Sequence, residues 1–478
     1  MSNSQQPGYP TERIRSFVNT AWSQNIVPSL REYIRIPNKS PAFDPQWQAS
    51  GHMDQAVNLL ADWARAQGPA NASVEIIRLP ERTPLLCVEL PSTGAPGNLL
   101  LYGHYDKQPE FDGWEAGLAP WEPVERDGRL YGRGGADDGY ALFGSLTAIA
   151  ALDAANIPRA RCVLLIEGCE ESGSFDLPFY VDHLKHQIGT PDLVICLDAE
   201  CGNYEQLWVT TSLRGMLPGV LRAQVLTEGQ HSGVAGGIVP SSFRLLRQAI
   251  ERVENGYTGD LHDLLRVEIP THVRAQAQAA ANILGAGVVE RFPWVTGHKP
   301  TDTDYASVLL RNAWEPSLAT VGLEGAPALI DAGNTLRPGT AAKLVFRLPP
   351  SLDAEDAAAA IKTVIESYQP EGGQISFEVE TPQTGWCAPE PAPWLETAVN
   401  DASQAHFGKP AAYMGMGGTI PFMKMLGDAY PGVQFLVTGV LGPQSNAHGP
   451  NEFLHLATAR RLTACVARVI ADHAQVES

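Results

Sequence analysis

The chain has 478 residues, of which 44% are hydrophobic and 18% charged, with a formal net charge of −19. That length predicts about two or three domains, and the acidic balance argues against nucleic acid or an anionic membrane as a partner. No apolar stretch approaches the roughly 20 residues needed to span a bilayer. The polar segment from Met1 to Pro10 lacks a signal-peptide core, so a cytoplasmic location is the default expectation.

The first half of the chain alternates predicted helices and strands. Residues 11–36, with a break near Pro28, and residues 55–67 have helical patterns. Three short apolar runs follow, and such runs are typical of buried parallel strands. Each leads into charged residues: residues 99–103 into His104 and Asp106, residues 163–166 into Glu170 and Glu171, and residues 193–197 into Asp198. A glycine-rich loop, residues 131–139, carries Asp137 and precedes a helix over residues 141–154.

The pattern changes after about residue 210. Residues 221–225, 343–348 and 375–379 alternate apolar and polar side chains, which predicts antiparallel strands with one wet face. Helices are predicted over residues 241–253 and 354–368, then a buried strand over 433–440 and a closing helix over 453–473. We therefore predict a discontinuous α/β catalytic domain, residues 1–210 and 385–478, with an inserted two-layer α+β domain, residues 211–384.

The charged residues after the strands form a candidate metal centre. Ligands of open α/β sheets bind beyond the carboxyl ends of the strands. In His104-x-Asp106 one residue can bind a metal while the other accepts the second N–H of the imidazole. In the pair Glu170-Glu171, one carboxylate can be a ligand and the other a general base. With His448 from a late loop, this set suits two borderline cations that share a carboxylate, and it is too rich in nitrogen for a pure Mg²⁺ or Ca²⁺ site.

Simpler interpretations exist for each residue alone. An acidic residue after a strand is usually a cap or a turn residue, and only the coincidence of three strands argues for a site. The loop Gly132-x-Gly134 is a weak phosphate signal, because no Walker lysine accompanies it. No Gly-x-Ser-x-Gly elbow is present in the chain.

These residues resemble the M20 metallopeptidase family, and specifically its carnosine-dipeptidase-like branch. The resemblance extends from about residue 100 to residue 455. It is carried by Gly103-His104-Tyr105-Asp106-Lys107-Gln108-Pro109, Asp112-Gly113-Trp114, Gly132-Arg133-Gly134-Gly135-Ala136-Asp137-Asp138, Glu170-Glu171-Ser172-Gly173, His231-Ser232-Gly233 and Asn446-Ala447-His448. The inserted domain matches the lid and dimerisation domain of the family.

The resemblance implies two divalent metal ions per chain, with zinc expected and manganese or cobalt as alternatives. One ion would be held by His104 and Asp198 and the other by Glu171 and His448, with Asp137 bridging the two. The resemblance also implies a cis peptide bond between Asp137 and Asp138.

Catalytic and substrate-binding roles follow from the same resemblance. Asp106 would orient His104, Glu170 would be the general base, and His231 would reach the active site of the partner in a homodimer. The substrate-binding residues would be Arg347, Thr335, Gly418 and Thr419. One departure is Gly139-Tyr140, where the family usually has Lys-Gly. The lysine of the family pattern is not a metal ligand, so its absence bears on substrate preference and not on metal binding.

The function implied is a binuclear dipeptidase that hydrolyses the amide bond of small peptides through a metal-bridging water. An N-acyl-amino-acid deacylase or N-carbamoyl amidohydrolase with the same site is the alternative. A non-catalytic binding protein on the same scaffold is a remote third, since every expected ligand and Glu170 are present.

Overall fold

A computed structural model describes residues 9–300 and 302–476. Within those residues the strands are β1 Ser73–Ile77, β2 Leu85–Leu90, β3 Asn98–His104, β4 Val124–Arg126, β5 Arg129–Tyr131, β6 Arg161–Glu167, β7 Leu193–Cys196, β8 Trp208–Leu213, β9 Gly215–Gln224, β10 Gln230–His231, β11 Ser317–Glu324, β12 Thr335–Leu336, β13 Gly339–Leu348, β14 Gln374–Val379, β15 Trp386–Cys387, β16 Ala412–Met416, β17 Gln434–Val437 and β18 Phe453–His455. The α-helices are α1 Thr11–Ala21, α2 Val27–Ile34, α3 Trp47–Ser50, α4 His52–Gln67, α5 Ala141–Ala155, α6 Leu177–His183, α7 Lys185–Ile188, α8 Ser232–Ala235, α9 Ser242–Ile250, α10 Thr271–Leu284, α11 Gly287–Glu290, α12 Tyr305–Ala313, α13 Ala354–Glu366, α14 Pro393–Phe407, α15 Pro421–Ala429 and α16 Leu456–His473.

The largest sheet has six strands in the order β1-β2-β6-β3-β7-β17. The four strands from β6 to β17 are parallel, and β2 runs antiparallel to both β1 and β6. Alternate residues of β3 enter two cores: Leu99 and Leu101 pack on one face, Leu100 and Tyr102 on the other. Because helices cover both faces, these strands are apolar at every position and their polar residues come at the ends.

A second sheet has the order β11-β13-β9-β14 and is antiparallel throughout. Its buried side chains, among them Leu221, Leu344 and Phe377, pack with residues of α9 and α13. The other face carries the intervening residues of the same strands. This one-sided burial is the physical cause of the period-two alternation in the sequence.

A third sheet, β15-β8-β16, connects the two larger sheets. Strand β8 extends across residue 211, where the sequence predicts a domain boundary. Ala280 of α10 packs against Trp208 of β8 and Met414 of β16. Helix α10 therefore lies within the predicted insertion but packs on a sheet made partly from residues outside it.

The predicted break near Pro28 is a π-helical turn over Trp22–Ile26, and Pro28 sits in the first turn of α2 that follows. One predicted helix boundary was wrong. The closing helix begins at Leu456, because Phe453–His455 pairs with β5 and the His455 side chain accepts the backbone N–H of Thr458. None of the helices in the described ranges has the length and apolar character required to cross a bilayer.

Candidate metal centre

The first group of possible metal ligands lies at the carboxyl edge of the six-stranded sheet. His104 is the last residue of β3, and its Nε2 lies 3.3 Å from Oδ1 of Asp137 and 3.7 Å from Oδ2 of Asp198. Asp198 follows β7, the parallel neighbour of β3, and all three side chains are buried. The parallel ladder therefore brings together two ligands that are 94 residues apart in the sequence, at one edge of the sheet, as predicted.

A second group shares Asp137 with the first. Nε2 of His448 lies 3.0 Å from Oδ2 of Asp137 and 3.2 Å from Oε2 of Glu171. In each group the candidate ligand atoms lie within 4.8 Å of one another. Asp137 offers one oxygen to each group, which is the arrangement that a carboxylate bridging two cations requires.

The glycine-rich loop before α5 positions Asp137. The Asp137–Asp138 peptide bond is cis, as predicted. Glu452 is buried and accepts the backbone N–H of Gly134 at 3.0 Å, and Gly134 has φ +78° in the left-handed region that favours glycine. Arg133 pairs with Glu452 at 2.6 Å and donates to the carbonyl of Gly449 at 2.7 Å. This ion pair joins the loop of Asp137 to the loop of His448.

Asp106 contacts both the imidazole of His104 and the turn of Glu170 and Glu171. Its Oδ1 lies 3.4 Å from Nδ1 of His104, consistent with the predicted orienting role, and the carbonyl oxygen of Asp106 lies 3.1 Å from the same nitrogen. Its two carboxylate oxygens also accept the backbone N–H groups of Glu170 at 3.1 Å and Glu171 at 3.0 Å. The second pair of bonds was not predicted, because backbone donors carry no sequence signal.

Burial and opposite charges determine the electrostatics of the centre. Burial alone would lower the pKa of His104, but the carboxylates of Asp198, Asp106 and Asp137 raise it well above its usual value. Burial raises the pKa of Asp198 to about 7, although His104 acts against it. Imidazole nitrogens with several carboxylates in a buried cleft are a stable set only if positive charge is present.

Glu170 is half-buried and lies beside the same charged groups. Burial raises the pKa of its carboxyl well above its usual value, and the carboxylate of Asp198 raises it further. A carboxylate in such surroundings has increased proton affinity, which a general base needs. The position therefore fits the predicted role of Glu170.

The chemistry of the donor set also fits divalent metals. Oε2 of Glu171 accepts a hydrogen bond from Nε2 of Gln108 at 2.6 Å, whereas its buried Oε1 has no hydrogen-bond partner among the described residues. A buried carboxylate oxygen without a donor is costly unless a cation lies beside it. Histidine and carboxylate together suit zinc, manganese or cobalt. Gln108 lies within a quoted motif, but its contact with Glu171 was not anticipated.

The residue that departs from the family pattern has a defined place. The buried Tyr140 hydroxyl donates a hydrogen bond to the carbonyl of Leu197, the residue before Asp198. Burial raises the pKa of Tyr140 well above its usual value, so the hydroxyl remains a donor.

The predicted substrate-binding residues separate into two places. Nη1 of Arg347 donates to Oγ1 of Thr419 at 3.1 Å, which places Arg347 against the loop that contains Gly418. Thr335 pairs with His231 in the exposed two-stranded sheet β10–β12, and Nδ1 of His231 accepts the backbone N–H of Gly233. No hydrogen bond or ion pair between described residues joins His231 or Thr335 to either metal-ligand group.

The comparison with protein families decides the classification. The model of the peptidase family M20/M25/M40 matches residues 100–472. The chain belongs to this family. The match contains all five candidate metal ligands and reaches into both segments of the predicted catalytic domain.

Individual relatives agree with the predicted branch. The chain is 26% identical over 404 residues to a cysteinylglycine-S-conjugate dipeptidase of Corynebacterium striatum, covering 78% of this chain and 82% of that protein. It is 25% identical over 430 residues to the human β-Ala-His dipeptidase, covering 84% of this chain and 80% of the relative. The predicted resemblance to the carnosine-dipeptidase-like branch is confirmed.

Solved structures confirm the predicted fold class. The di-peptidase Dug1p from Saccharomyces cerevisiae has a TM-score of 0.81 at 19% identity, covering 98% of this chain and 99% of that one. Human carnosine dipeptidase 1 has a TM-score of 0.78 at 20% identity, covering 98% and 100% of the two chains. The M20 fold therefore extends over nearly the whole chain.

Proposed function

We propose that this protein is a metal-dependent dipeptidase. The observation that carries the proposal is the pair of histidine–carboxylate groups that share Asp137, with the half-buried Glu170 beside them. The first group would hold one divalent cation and the second group another, with zinc as the expected metal. Two relatives named as dipeptidases, for cysteinylglycine conjugates and for β-Ala-His, support a dipeptide as the substrate.

The residues of the cleft divide the chemistry. Divalent cations in such a site supply Lewis acidity, which lowers the pKa of water and polarises an amide carbonyl. A carboxylate oxygen of Glu170 takes the proton of the attacking water and delivers it to the nitrogen of the leaving amine. Asp106 holds His104 in one orientation and, through two backbone N–H groups, holds the Glu170–Glu171 turn.

A panel of substrates tests this function. The metal-loaded protein should hydrolyse dipeptides with a free amino group, and blocking that group should abolish the activity. Retained hydrolysis of N-acyl or N-carbamoyl amino acids, without cleavage of free dipeptides, would replace the dipeptidase with the deacylase or amidohydrolase. Hydrolysis of neither class, with zinc, manganese and cobalt each supplied, would favour the non-catalytic alternative.

We also propose a homodimer in which His231 reaches the partner's cleft, while residues 1–210 and 385–478 form the catalytic domain and residues 211–384 the lid. The edge strand β11 exposes Val321 and Leu323, and the turn before β12 exposes Leu329 and Ile330, which are 96% and 92% exposed. Exposed apolar groups on a lid suit a two-fold contact.

Subunit mixing tests the shared site. Inactive Glu170→Ala and His231→Ala proteins should regain activity when mixed, because one cleft then combines an intact Glu170 with an intact His231. A fully active monomer, or no recovery after proven subunit exchange, would contradict the shared site.

A further inference from the structure

Arg214 and Arg347 lie close together where the antiparallel sheet β11-β13-β9-β14, here called the lid sheet, meets the loop of Gly418. Arg347 pairs across the sheet with Met216 on one side and Ser317 on the other. Nη1 of Arg214 donates to Oγ of Ser317 at 3.0 Å. Thr419 connects the two arginines: its Oγ1 accepts from Nη1 of Arg347 and donates to the backbone carbonyl of Arg214 at 2.6 Å.

Arg347 belongs to the face of the antiparallel sheet that α9 and α13 leave uncovered, and the buried Arg214 lies beside it. The strand residues Leu217 and Phe346 are fully buried in the core beneath α9 and α13. Because side chains alternate along a strand, Arg347 and Met216 point to the opposite face. Arg214 lies between β8 and β9, and its hydrogen bond to Ser317, the cross-strand neighbour of Arg347, places its guanidinium beside that face. That face adjoins the loop of residues 417–419.

Two other cations on the strands of this sheet are paired with carboxylates, whereas, within the described part of the chain, Arg214 and Arg347 are not. Farther out on the same strands, Arg222 pairs with Glu324 at 2.9 Å and Lys343 pairs with Glu380 at 3.0 Å. Among the residues that the structure describes, no carboxylate lies within ion-pair distance of Arg214 or Arg347. Burial, and after it the neighbouring charge of Arg347, lowers the pKa of Arg214 to about 10.

Glu200, the acidic group whose charge raises the pKa of Arg214, does not neutralise it. The carboxylate of Glu200 instead pairs with Arg291 at 2.9 Å. Two adjacent guanidinium groups in a largely buried position without a counter-ion are costly, and an anion between them removes that cost.

Arg214 has donors left for such an anion. Its Nε donates to the carbonyl of Gly417 at 3.2 Å, and its Nη1 donates to the carbonyl of Glu315 at 3.3 Å as well as to Ser317. Its Nη2 makes no hydrogen bond to a described residue. A Cβ atom on Gly417 would lie 3.1 Å from this Nη2, so the glycine keeps the nitrogen approachable.

We propose that Arg214 is a second substrate-binding arginine, which together with Arg347 binds the free carboxylate of the substrate's leaving residue. This proposal rests on the proposed function and adds a residue that the sequence resemblance did not assign. Guanidinium groups bind carboxylates through paired, charge-assisted hydrogen bonds. A substrate whose carboxylate is converted to an amide loses that charge and accepts fewer hydrogen bonds.

The test compares a dipeptide with its C-terminal amide. We expect Arg214→Gln to lower the ratio of kcat/KM for the acid to kcat/KM for the amide by about 10- to 100-fold. Arg214→Lys keeps a charge and should show an intermediate ratio; it also serves if the Gln variant does not fold. Arg222→Gln, on the same face but paired with Glu324, is the matched control and should leave the ratio unchanged.

A purely structural Arg214 gives a different result. If Arg214 only holds the loop at Gly417, its substitution should lower kcat/KM for the acid and the amide equally. An unchanged ratio in Arg214→Gln, or in Arg214→Lys where only that variant folds, would therefore overturn the proposal.

A binding measurement separates this proposal from the proposed function. Calorimetry with the full-length, metal-loaded protein compares leucine, the product of a dipeptide that ends in leucine, with leucinamide. We expect the preference for the acid to be lost in Arg214→Gln and kept in Arg222→Gln. If the wild type hydrolyses no dipeptide but prefers leucine to leucinamide, and Arg214→Gln loses that preference, the proposed function fails and the anion subsite stands. If the wild type hydrolyses dipeptides and the preference does not depend on Arg214, the subsite alone is overturned.

Discussion

The two halves of the candidate metal centre are built differently. His104 and Asp198 lie at the ends of adjacent parallel strands, and their side chains are 0% and 8% exposed. Glu171 lies on a 3₁₀ turn, and His448 lies in a loop with its side chain 56% exposed and its φ at +63°. The strand half is positioned by the hydrogen-bond ladder of the sheet, whereas the loop half depends on side chains from elsewhere in the chain.

The supports of the loop half are specific and buried. The Arg133–Glu452 pair connects the glycine-rich loop to the loop of His448, and both side chains are almost fully buried. Asp106 holds the turn that carries Glu171 by accepting its backbone N–H. The comparison shows two ways to hold a metal ligand in position. A strand does so by the hydrogen bonds of its sheet, and a loop does so by contacts with buried charged side chains.

Glu170 belongs to neither half, and its substitution should have the largest effect on turnover. We expect Glu170→Gln to lower kcat by about 10²- to 10⁴-fold, the range of general-base catalysis, while both ions remain bound. Steady-state kinetics and elemental analysis of the same preparation measure the two quantities. Glu171→Gln is the matched control and should release one ion; release by Glu170→Gln would place Glu170 among the ligands instead.

Removing one charge from the buried support should destabilise the loop half. Glu452→Gln leaves Arg133 buried without its partner, which costs about 3–5 kcal/mol in the free energy of unfolding. Chemical denaturation measures the loss. Glu324→Gln, which breaks an exposed ion pair with Arg222, should cost about 1 kcal/mol or less. Equal losses in the two variants would show that the buried pair has no special role.

Asp106 contacts both halves, so its substitution should not discriminate between them. In Asp106→Asn the side-chain NH2 group would replace one of the two carboxylate oxygens. It would face the backbone N–H of Glu170 or Glu171 and could not accept a hydrogen bond from it. We expect a 10- to 100-fold loss of metal affinity, as for other groups that orient metal ligands. Metal titration should find both sites weakened, and an effect confined to the site of His104 would mean that the contact with the turn is unimportant.

The smallest expected difference is the order in which a chelator removes the ions. The more exposed loop half should release its ion first, because solvent reaches His448 while the strand half is enclosed. Stopped-flow release into a coloured chelator should therefore have two phases, and His448→Ala should remove the faster one. A single phase that involves both ions would contradict the difference between the halves.

The sequence alone determined the type of site and most of its ligands. Apolar runs that end in His104, Glu170 and Asp198 are local patterns, and a buried parallel sheet brings such ends to one edge. The period-two alternation likewise predicted the antiparallel sheet. The shared role of Asp137 was implied only by the family resemblance, since a glycine-rich loop has no pattern that states where its carboxylate lies.

Only the tertiary structure decided which distant residues support the centre. Arg133 and Glu452 are 319 residues apart, and neither shows its partner in the sequence. The bonds from Asp106 to the turn use backbone N–H groups that every non-proline residue has. Arg214 stood out in no motif and became notable only because the folded chain places it beside Arg347 without a carboxylate. Local periodicity depends on neighbours along the chain, whereas charge pairing depends on neighbours in space, which folding alone determines.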